Sequence, residues 1–258
     1  MPTRDGYPEG VPSWVDLGTT DVGAAKAFYT ELFGWEYSEA ETDSAPYTMA
    51  TKRGLSAAGI GPNPDPSMPS VWSTYFAVDN ADATVERIKA AGGTMIMDCF
   101  DVMDAGRMAF VSDPTGAAFG IWQAGVHKGA GVVNEHGSLN WNELMSDDLE
   151  KALAFYVEVF GWTHETTEMP NGPYTVFSVG DRAVGGAMRK PEEVSGVPNY
   201  WGVYFAVDDV AAAIETATAN GGTIDYGPME IPEVGIFAGL ADSTGGHFTV
   251  IQLAGEVD

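Results

Sequence analysis

The sequence predicts an α+β fold in which two similar domains follow one another along the chain, and three observations support this. The chain has 258 residues, a length near the upper limit for one hydrophobic core. The octapeptide FYTELFGW at 28–35 returns almost unchanged as FYVEVFGW at 155–162. In each half, strand-like and helical patterns follow the same order. A repeat over half the chain indicates duplicated domains, because solenoid repeats span only about 20 to 50 residues.

A constant spacing relates the two halves. Six landmarks of the first half recur 127 positions later in the second; they are Trp14, Asp21, Phe28, Gly34, Pro46 and Gly59. Beyond the loops at 61–70 and 189–199 the spacing becomes 129, so that the sequence YFAVD occurs at both 75–79 and 204–208. A two-residue insertion in the second loop explains the change. We therefore predict domains at 12–125 and 139–253, joined by a glycine-rich linker at 124–138.

Each domain is predicted to contain two β-α-β-β-β modules. The alternating segment from Trp14 predicts a strand, and Asp21 can cap a helix whose apolar residues recur at helical spacing. Gly34 is expected to end this helix. Strands are then predicted near 35–40, 46–51 and 55–60, followed by strand 72–78, helix 80–91 and strands near 94–98, 106–112 and 117–123. Asp113 and Asp242, in the segments DPTG and DSTG, are predicted to form turns between strands.

The composition excludes several classes of partner. Twelve Lys and Arg residues against 37 Asp and Glu residues give a formal charge of −25, which repels nucleic acid and anionic membranes. The single cysteine, Cys99, allows no intrachain disulfide and favours a reducing compartment. The sequence shows neither a secretory signal nor a run of about 18 apolar residues, so a cytoplasmic protein, monomeric or homodimeric, is expected.

The motifs together resemble a known superfamily. The pattern D-x-x-x-A-x-x-F-Y-x-x-x-F-G-W, the repeated Y-F-x-V-D and the segment D-P-T-G-A, carried on paired β-α-β-β-β modules, resemble the glyoxalase/bleomycin-resistance/extradiol-dioxygenase superfamily, also called the vicinal-oxygen-chelate superfamily. Within it, the chain looks like the two-domain actinobacterial branch often labelled hydroxylase, and like a mycobacterial culture-filtrate glyoxalase-like antigen. The resemblance implies that the two modules of a domain curl into a cup, with the helices outside and the ligand inside.

The resemblance also implies where a divalent metal would be held. Relatives use His and Glu on the first and last strands of each module. In the first domain these places are occupied by Trp14, the donor-free segment 54–61, Ser73 and Gly120. In the second domain they are occupied by Trp141, the donor-free segment 183–188, Gly202 and Thr249. Because first-row metals need imidazole or carboxylate donors, we predict neither a metal nor another cofactor.

Strand parity predicts which side chains line the cups, because residues two apart share one face of a strand. If Trp14 faces the cup, so does Asp16, and the same holds for Trp141 and Glu143. The facing modules are predicted to add Ser73 and Tyr75 to the first cup, and Tyr204, His247 and Thr249 to the second. Each cup therefore pairs one indole with one acid.

These residues leave several functions open. The first hypothesis is metal-independent binding of an aromatic, polyketide-like or carbonyl compound between the aromatic walls. The alternative is an enzyme, either a glyoxalase-like lyase or isomerase or a cofactor-independent antibiotic-pathway hydroxylase, with Asp16 or Glu143 as general base. A purely structural interpretation is that the aromatic rings fill the cavity left by metal loss. One domain could also bind while the other serves as scaffold, since Ala118 stands in the first domain where His247 stands in the second.

Overall fold

The computed structural model describes residues 3–40, 46–169, 172–194 and 196–255. The first half contains, in chain order, β1 (Pro12–Thr19), α1 (Val22–Phe33), β2 (Glu36–Ala40), β3 (Tyr47–Lys52), β4 (Leu55–Pro62), β5 (Val71–Ala77), α2 (Ala81–Ala90), β6 (Thr94–Val102), β7 (Gly106–Ser112) and β8 (Ala118–Ala124). The second half contains β9 (Ser138–Ser146), α3 (Leu149–Phe160), β10 (Thr163–Met169), β11 (Gly172–Val179), β12 (Arg182–Arg189), β13 (Tyr200–Ala206), α4 (Val210–Ala219), β14 (Thr223–Ile231), β15 (Gly235–Ala241) and β16 (His247–Leu253). The predicted β-α-β-β-β order thus occurs four times.

Each half forms one curved sheet from its two modules. In the first half, β1 pairs in parallel with β4 and antiparallel with β5, and β5 pairs in parallel with β8. The strand order is therefore β2-β3-β4-β1-β5-β8-β7-β6. The second half repeats this arrangement through β9 and β13. Among the residues that the structure describes, a bridge between Tyr200 and Ala118 connects the two curved sheets.

The helices begin and end where the sequence predicts. Asp21 precedes α1, and its Oδ1 accepts a hydrogen bond of 2.9 Å from the Ala24 amide. Gly34 ends the helix at a φ of 68°, in the left-handed region that a residue without a β-carbon adopts at little cost. In the second domain, Asp148 caps the start of α3 and Gly161 ends it at a φ of 67°. Within the described ranges, the chain has no helix long and apolar enough to cross a membrane.

The helices lie outside the cups, and each buries one face between the two domains while its other face is exposed. Phe28, Tyr29 and Phe33 of α1 pack in one apolar core with Phe205 and Phe248 of the second domain. A matching core joins α3 of the second domain to the first, through Phe155, Tyr156, Phe76 and Phe119. The two cups are therefore back to back, with helices between them, and the repeated FY motif serves contacts between domains.

The two predicted turns also join the domains. Asp113 Oδ1 accepts hydrogen bonds from the amides of Thr115 and Ala117 at 2.7 and 3.1 Å, which holds the turn together. Its other oxygen, Oδ2, accepts a hydrogen bond of 3.1 Å from the Tyr156 hydroxyl of the second domain. Asp242 is bonded in the same way within its own turn. The turn prediction was therefore right but incomplete, because each carboxylate also holds the opposite domain.

The predicted linker packs on the first domain and is not a flexible connection. The Ala130 amide donates to the Ser13 carbonyl at 2.8 Å, and the Gly131 amide donates to the Ser56 carbonyl at 2.7 Å. Ala130 and Val132 are buried. The composition of the segment is glycine-rich, but its backbone hydrogen bonds and buried side chains fix its path.

Candidate ligand-binding cups

Each cup is organised around a row of paired residues in the sheet, which we call the acid row. In the first cup Asp16 pairs with Gly59 on one side and with Ser73 on the other. In the second cup Glu143 pairs with Gly186 and Gly202 in the same way. Directly opposite residues share a face of the sheet. The acid row of the first cup therefore consists of Gly59, Asp16 and Ser73. That of the second cup consists of Gly186, Glu143 and Gly202.

In the first cup, two tyrosines and one tryptophan surround the acid. Asp16 Oδ2 accepts hydrogen bonds from the hydroxyls of Tyr75 and Tyr47 at 3.0 and 3.3 Å. The Trp14 indole donates to the Tyr47 hydroxyl at 3.0 Å. Within the described ranges, Asp16 Oδ1 has no protein partner, and it is not a buried atom. One carboxylate oxygen is therefore fixed by tyrosines, while the other has no hydrogen-bond partner among the described residues.

Burial changes the acid–base behaviour of this carboxyl group. It raises the pKa of Asp16 from 3.8 to about 6, although the hydrogen bonds from Tyr75 and Tyr47 act in the opposite direction. The desolvation of a charged carboxylate outweighs two hydroxyl donors here. Asp16 therefore exchanges its proton close to neutral pH, where it can accept or donate a hydrogen bond.

The second cup repeats the arrangement with Glu in place of Asp. The Tyr204 hydroxyl donates to Glu143 Oε1 at 2.8 Å, and the Trp141 indole donates to the Tyr174 hydroxyl at 3.0 Å. Burial raises the pKa of Glu143, although the neighbouring hydroxyls of Tyr174 and Tyr204 act in the opposite direction. The same Trp–Tyr–acid–Tyr cluster, built from equivalent positions, thus occurs in both cups.

Sequence reasoning missed Tyr47 and Tyr174. Both come directly after the repeated prolines, Pro46 and Pro173, so the repeat contained a signal that could have identified them. Their hydroxyls lie over glycines of the acid rows. A β-carbon built on Gly59 would lie 1.8 Å from Tyr47 Oη, and one on Gly186 would lie 2.0 Å from Tyr174 Oη. Glycine is therefore required at both positions for the tyrosine to reach the acid.

The residues present do not fit the metal that the resemblance implies. Trp14, Ser73 and Gly120 offer no strong donor, and the Tyr75 ring lies so close to Gly120 that a β-carbon there would be 2.0 Å away. Asp16 and Glu143 are engaged by tyrosine hydroxyls instead. Throughout the described ranges, the chain contains no group of three His, Cys, Asp or Glu residues able to hold an ion. The donor chemistry and the occupied space both disagree with a divalent site.

The linker closes one end of the first cup. The His127 ring packs edge-on against the Trp14 ring, with ring centroids 4.4 Å apart, and against the Trp122 ring at 5.6 Å. Ala130 and Val133 belong to the same apolar cluster as Trp14, Tyr75 and Trp122. Trp14 is consequently only 4% exposed. Burial lowers the pKa of His127 to about 4, so its imidazole is neutral at physiological pH.

The second cup is more open at the equivalent place. Trp141 is partly exposed, whereas its counterpart Trp14 is buried; Tyr174 and its counterpart Tyr47 are both partly exposed. On the far wall, Tyr226 and Met229 are exposed, as are Met97 and Phe100 at the equivalent positions of the first cup. The Tyr226 hydroxyl lies 2.7 Å from Thr249 Oγ1. Exposed apolar side chains on a concave surface are typical of a ligand site.

His247 and Thr249 both lie on β16, but they occupy different parts of the second cup. Thr249 is buried at the base of the wall, while 72% of the His247 side chain is exposed at the rim. His247 Nδ1 lies 2.7 Å from Asp225 Oδ2, and this hydrogen bond raises the pKa of His247. In the first domain, Ala118 and Ile96 occupy the positions equivalent to His247 and Asp225.

Two grooves on the outside of the molecule are less suited to a specific ligand. One has a volume of 470 Å³ and lies beside Phe28 and Asn220, and the other has 320 Å³ and lies beside Phe155 and Gly92. They occupy equivalent places at the contacts between helices of different domains. Their walls lack the convergent buried polar groups found in the cups.

Comparison with known proteins places the chain in a superfamily. The family model described as "Glyoxalase/Bleomycin resistance protein/Dioxygenase superfamily" matches residues 12–121 and 138–247. The chain belongs to this superfamily, and its fold is that of two tandem glyoxalase-like domains.

Two relatives cover nearly the whole chain. "Putative glyoxylase CFP32" of Mycobacterium bovis is 49% identical over 260 residues, which cover 98% of this chain and 99% of that protein. "Anthracycline biosynthesis protein DnrV" of Streptomyces peucetius is 36% identical over 262 residues, which cover 96% of this chain and 94% of that protein.

The solved structures support the fold. A Mn(II)-bound glyoxalase from Novosphingobium aromaticivorans superposes with a TM-score of 0.65 at 18% identity, over 97% of this chain and 85% of that chain. The 2,3-dioxygenase LapB from Pseudomonas sp. KL28 superposes with a TM-score of 0.65 at 16% identity, over 94% of this chain and 92% of that chain. At these identities the similarity concerns the fold alone.

Proposed function

We propose that this chain is a small-molecule binding protein that works without a metal and takes an aromatic, polyketide-like or carbonyl compound into its cups. The observation that carries the proposal is the Trp–Tyr–acid–Tyr cluster, which occurs twice in the part of the fold where the resemblance would put a metal. The cluster combines aromatic surface with one buried carboxyl group whose pKa is raised, to about 6 in the case of Asp16. Both features suit a planar ligand with a polar edge.

The carboxyl groups argue against mere filling of an empty cavity. A buried acid costs free energy unless a partner or a function compensates for it. Among the described residues, both tyrosine partners of Asp16 bind Oδ2, and Oδ1 has no protein partner. A free acceptor beside aromatic rings is suited to receive a hydroxyl group or, when the acid is protonated, to donate to a carbonyl oxygen.

The named relatives are consistent with this ligand class. One relative that covers nearly the whole chain is called an anthracycline biosynthesis protein, and anthracyclines are planar aromatic compounds. Another is called a putative glyoxylase, a name that points to a small carbonyl compound.

An enzyme is the second candidate, and the pKa of Asp16 favours it. A general base works best when its pKa lies near the operating pH, and that of Asp16 is about 6. Such an enzyme would be a glyoxalase-like lyase or isomerase, or a hydroxylase that needs no cofactor. Asp16→Asn combined with Glu143→Gln separates the two candidates, because a catalyst would lose turnover while a binding protein would keep most of its affinity.

The test of binding has two parts. Metal analysis of the protein purified without chelators should give well under one ion per chain. Tryptophan fluorescence should be quenched in a saturable way by members of a panel of hydroxyaromatic, quinone and dicarbonyl compounds. A stoichiometric metal ion held by cup residues, or a panel without any saturable ligand, would contradict the proposal.

A further inference from the structure

Two arginines of this acidic chain have no partner in the protein. Most of the 12 Lys and Arg side chains bind a carboxylate or a carbonyl oxygen, as expected where 37 Asp and Glu residues are present. Within the described ranges, the side chains of Arg4 and Arg182 form neither a hydrogen bond nor an ion pair, even with the exposed acids next to them in sequence, Asp5 and Asp181. Arg4 Nε is in addition a buried atom.

The internal duplication relates the surroundings of Arg4 to a segment of the linker. Segment 3–10 at the N-terminus is the counterpart of segment 130–137, 127 positions later. The Gly10 amide donates to the Ala77 carbonyl at 2.8 Å, and the Gly137 amide donates to the Ala206 carbonyl at 2.7 Å. The two segments therefore pack on the two halves in the same way.

The residues that correspond to the two arginines in the other half are in contact. At the spacing of 127, Arg4 and Arg182 correspond to Gly131 and Leu55. A β-carbon built on Gly131 would lie 3.5 Å from Leu55 Cβ. The equivalent contact brings Arg4 beside Arg182, the first residue of β12. The electrostatics agree, because burial lowers the pKa of Arg182 and the charge of Arg4 lowers it further.

Tyr7 and the linker hold Arg4 in place. The Tyr7 hydroxyl donates to the Ala130 carbonyl at 2.6 Å, and the Arg4 amide donates to the Gly131 carbonyl at 3.0 Å. Burial raises the pKa of Tyr7, while the charges of Arg4 and Arg182 act in the opposite direction. Both guanidinium groups therefore lie near Tyr7, where the N-terminal segment, the linker and β12 meet.

This arrangement costs free energy in two ways. A buried N–H group without an acceptor has lost its hydrogen bond to water, and two neighbouring cations repel each other. An ordered water molecule would satisfy Arg4 Nε but leave the repulsion. An oxyanion with two negative charges offsets both costs, because its oxygens accept from the guanidinium groups and its charge balances theirs. Arginine is well suited to this, since its planar fork of N–H groups matches the oxygens of a phosphate.

We propose that Arg4 and Arg182 form an anion site outside the cups that takes a phosphate group, either as the free ion or on a small phosphorylated compound. Arg182 is exposed, so the site is open to solvent. The other half has Gly131 and Leu55 at these positions, which gives one site per chain. The net charge of −25 does not prevent binding, because charges further away than about 8 Å are largely screened at physiological ionic strength. Since three parts of the chain meet at the site, its occupation should stabilise their packing.

Titration calorimetry with inorganic phosphate, at constant ionic strength set by chloride, tests the site. We expect one phosphate per chain. Arg182→Leu introduces the residue of the other half and should weaken binding about tenfold or more. Arg4→Lys keeps the charge but removes the Nε donor and should weaken binding several-fold. Arg189→Leu is the matched control, because it removes an exposed arginine that donates to the Asp147 carbonyl elsewhere on the surface, and it should bind like the wild type.

Thermal unfolding gives a second measurement on the same proteins. Phosphate at ten times its Kd should raise the Tm of the wild type by about 3 to 6 °C, and should raise that of Arg182→Leu by much less. Methyl phosphate separates the two sources of the group: tighter binding than that of inorganic phosphate indicates a phosphorylated compound, and weaker binding indicates the free ion.

Three results would overturn the inference. They are phosphate binding that is unchanged in both Arg182→Leu and Arg4→Lys, an equal loss in the control Arg189→Leu, and acetate binding as tight as that of phosphate. If Arg182→Leu proves unstable, Arg4→Lys decides alone, because it preserves the charge. The site lies outside the cups, so each of these results leaves the proposed function as it stands.

Discussion

The Tyr29 hydroxyl of the first domain donates a hydrogen bond of 2.8 Å to Asp242 Oδ2 of the second. The same hydroxyl accepts a hydrogen bond of 2.9 Å from the Trp72 indole, so a buried chain of three polar groups crosses between the domains. The equivalent chain runs from Trp201 through Tyr156 to Asp113. The repeated FY motif and the repeated D-x-T-G turn are therefore two halves of one contact between domains.

Tyr29→Phe should destabilise the protein by about 1.5 to 3 kcal/mol, because a buried carboxylate loses a donor and the Trp72 indole loses its acceptor. Chemical denaturation followed by circular dichroism measures the free energy of unfolding. Tyr37→Phe is the matched control, since the Tyr37 hydroxyl donates to the Lys26 carbonyl in a half-buried position; it should cost only about 0.5 to 1.5 kcal/mol. Equal effects of the two substitutions would contradict the role of Tyr29.

The two domains should unfold together. Both apolar cores contain residues of both domains, so neither half buries its helices alone. Calorimetry should show one transition with equal calorimetric and van't Hoff enthalpies. The isolated first half, ending before the linker, should expose Phe28 and Phe33 and aggregate. Two separate transitions, or a monomeric and cooperatively folded half, would show that the shared cores contribute little.

Asp16 should make stability depend on pH in a defined direction. The pKa of Asp16 rises from its ordinary value of 3.8, which applies in the unfolded chain, to about 6 in the folded protein. Between pH 4 and pH 6 the folded chain therefore binds more protons than the unfolded chain. The contribution of Asp16 to the free energy of unfolding therefore falls as the pH rises from about 4 to about 6, and stays low above that.

The substitution Asp16→Asn removes this dependence. Relative to the wild type, the variant should become more stable on going from acid to neutral pH, by on the order of 2 to 3 kcal/mol. Denaturation of both proteins at several pH values gives the difference in their free energies of unfolding directly. The contributions of the other titrating groups are common to both proteins and cancel. The exposed Asp79→Asn is the control. A difference that does not change with pH would show that Asp16 is not desolvated in the folded state.

The glycines on either side of Glu143 should respond differently to alanine. Gly186→Ala puts a methyl group where the Tyr174 hydroxyl lies, at 2.0 Å, and should cost about 1 to 3 kcal/mol through overpacking. Gly202→Ala meets only ordinary contacts and should change stability by about 0.5 kcal/mol or less. Thermal unfolding of the two variants compares them under identical conditions. Similar losses at both positions would mean that the space over Gly202 is filled.

Much of the local structure could be predicted from the sequence, because its causes are local. Asp21 and Gly34 bound a helix through a side-chain cap and a left-handed residue, and both are recognisable in the sequence without knowledge of any partner. Alternation along a strand put Trp14 and Asp16 on one face, and the duplication then applied the same assignment to the second half. Membership of the superfamily also followed from these motifs.

The tertiary structure alone decided which distant residues meet. Tyr47 reaches Asp16 across three strands because Gly59 leaves space for its hydroxyl, and no local pattern encodes that approach. The linker is glycine-rich in sequence, yet it closes the first cup because its amides find the carbonyls of Ser13 and Ser56. Likewise, whether a methyl group fits on Gly202 or on Gly186 depends on where side chains from other strands end. Local sequence determines which element forms and which face a residue takes, whereas packing between elements far apart in the chain determines what occupies each cup.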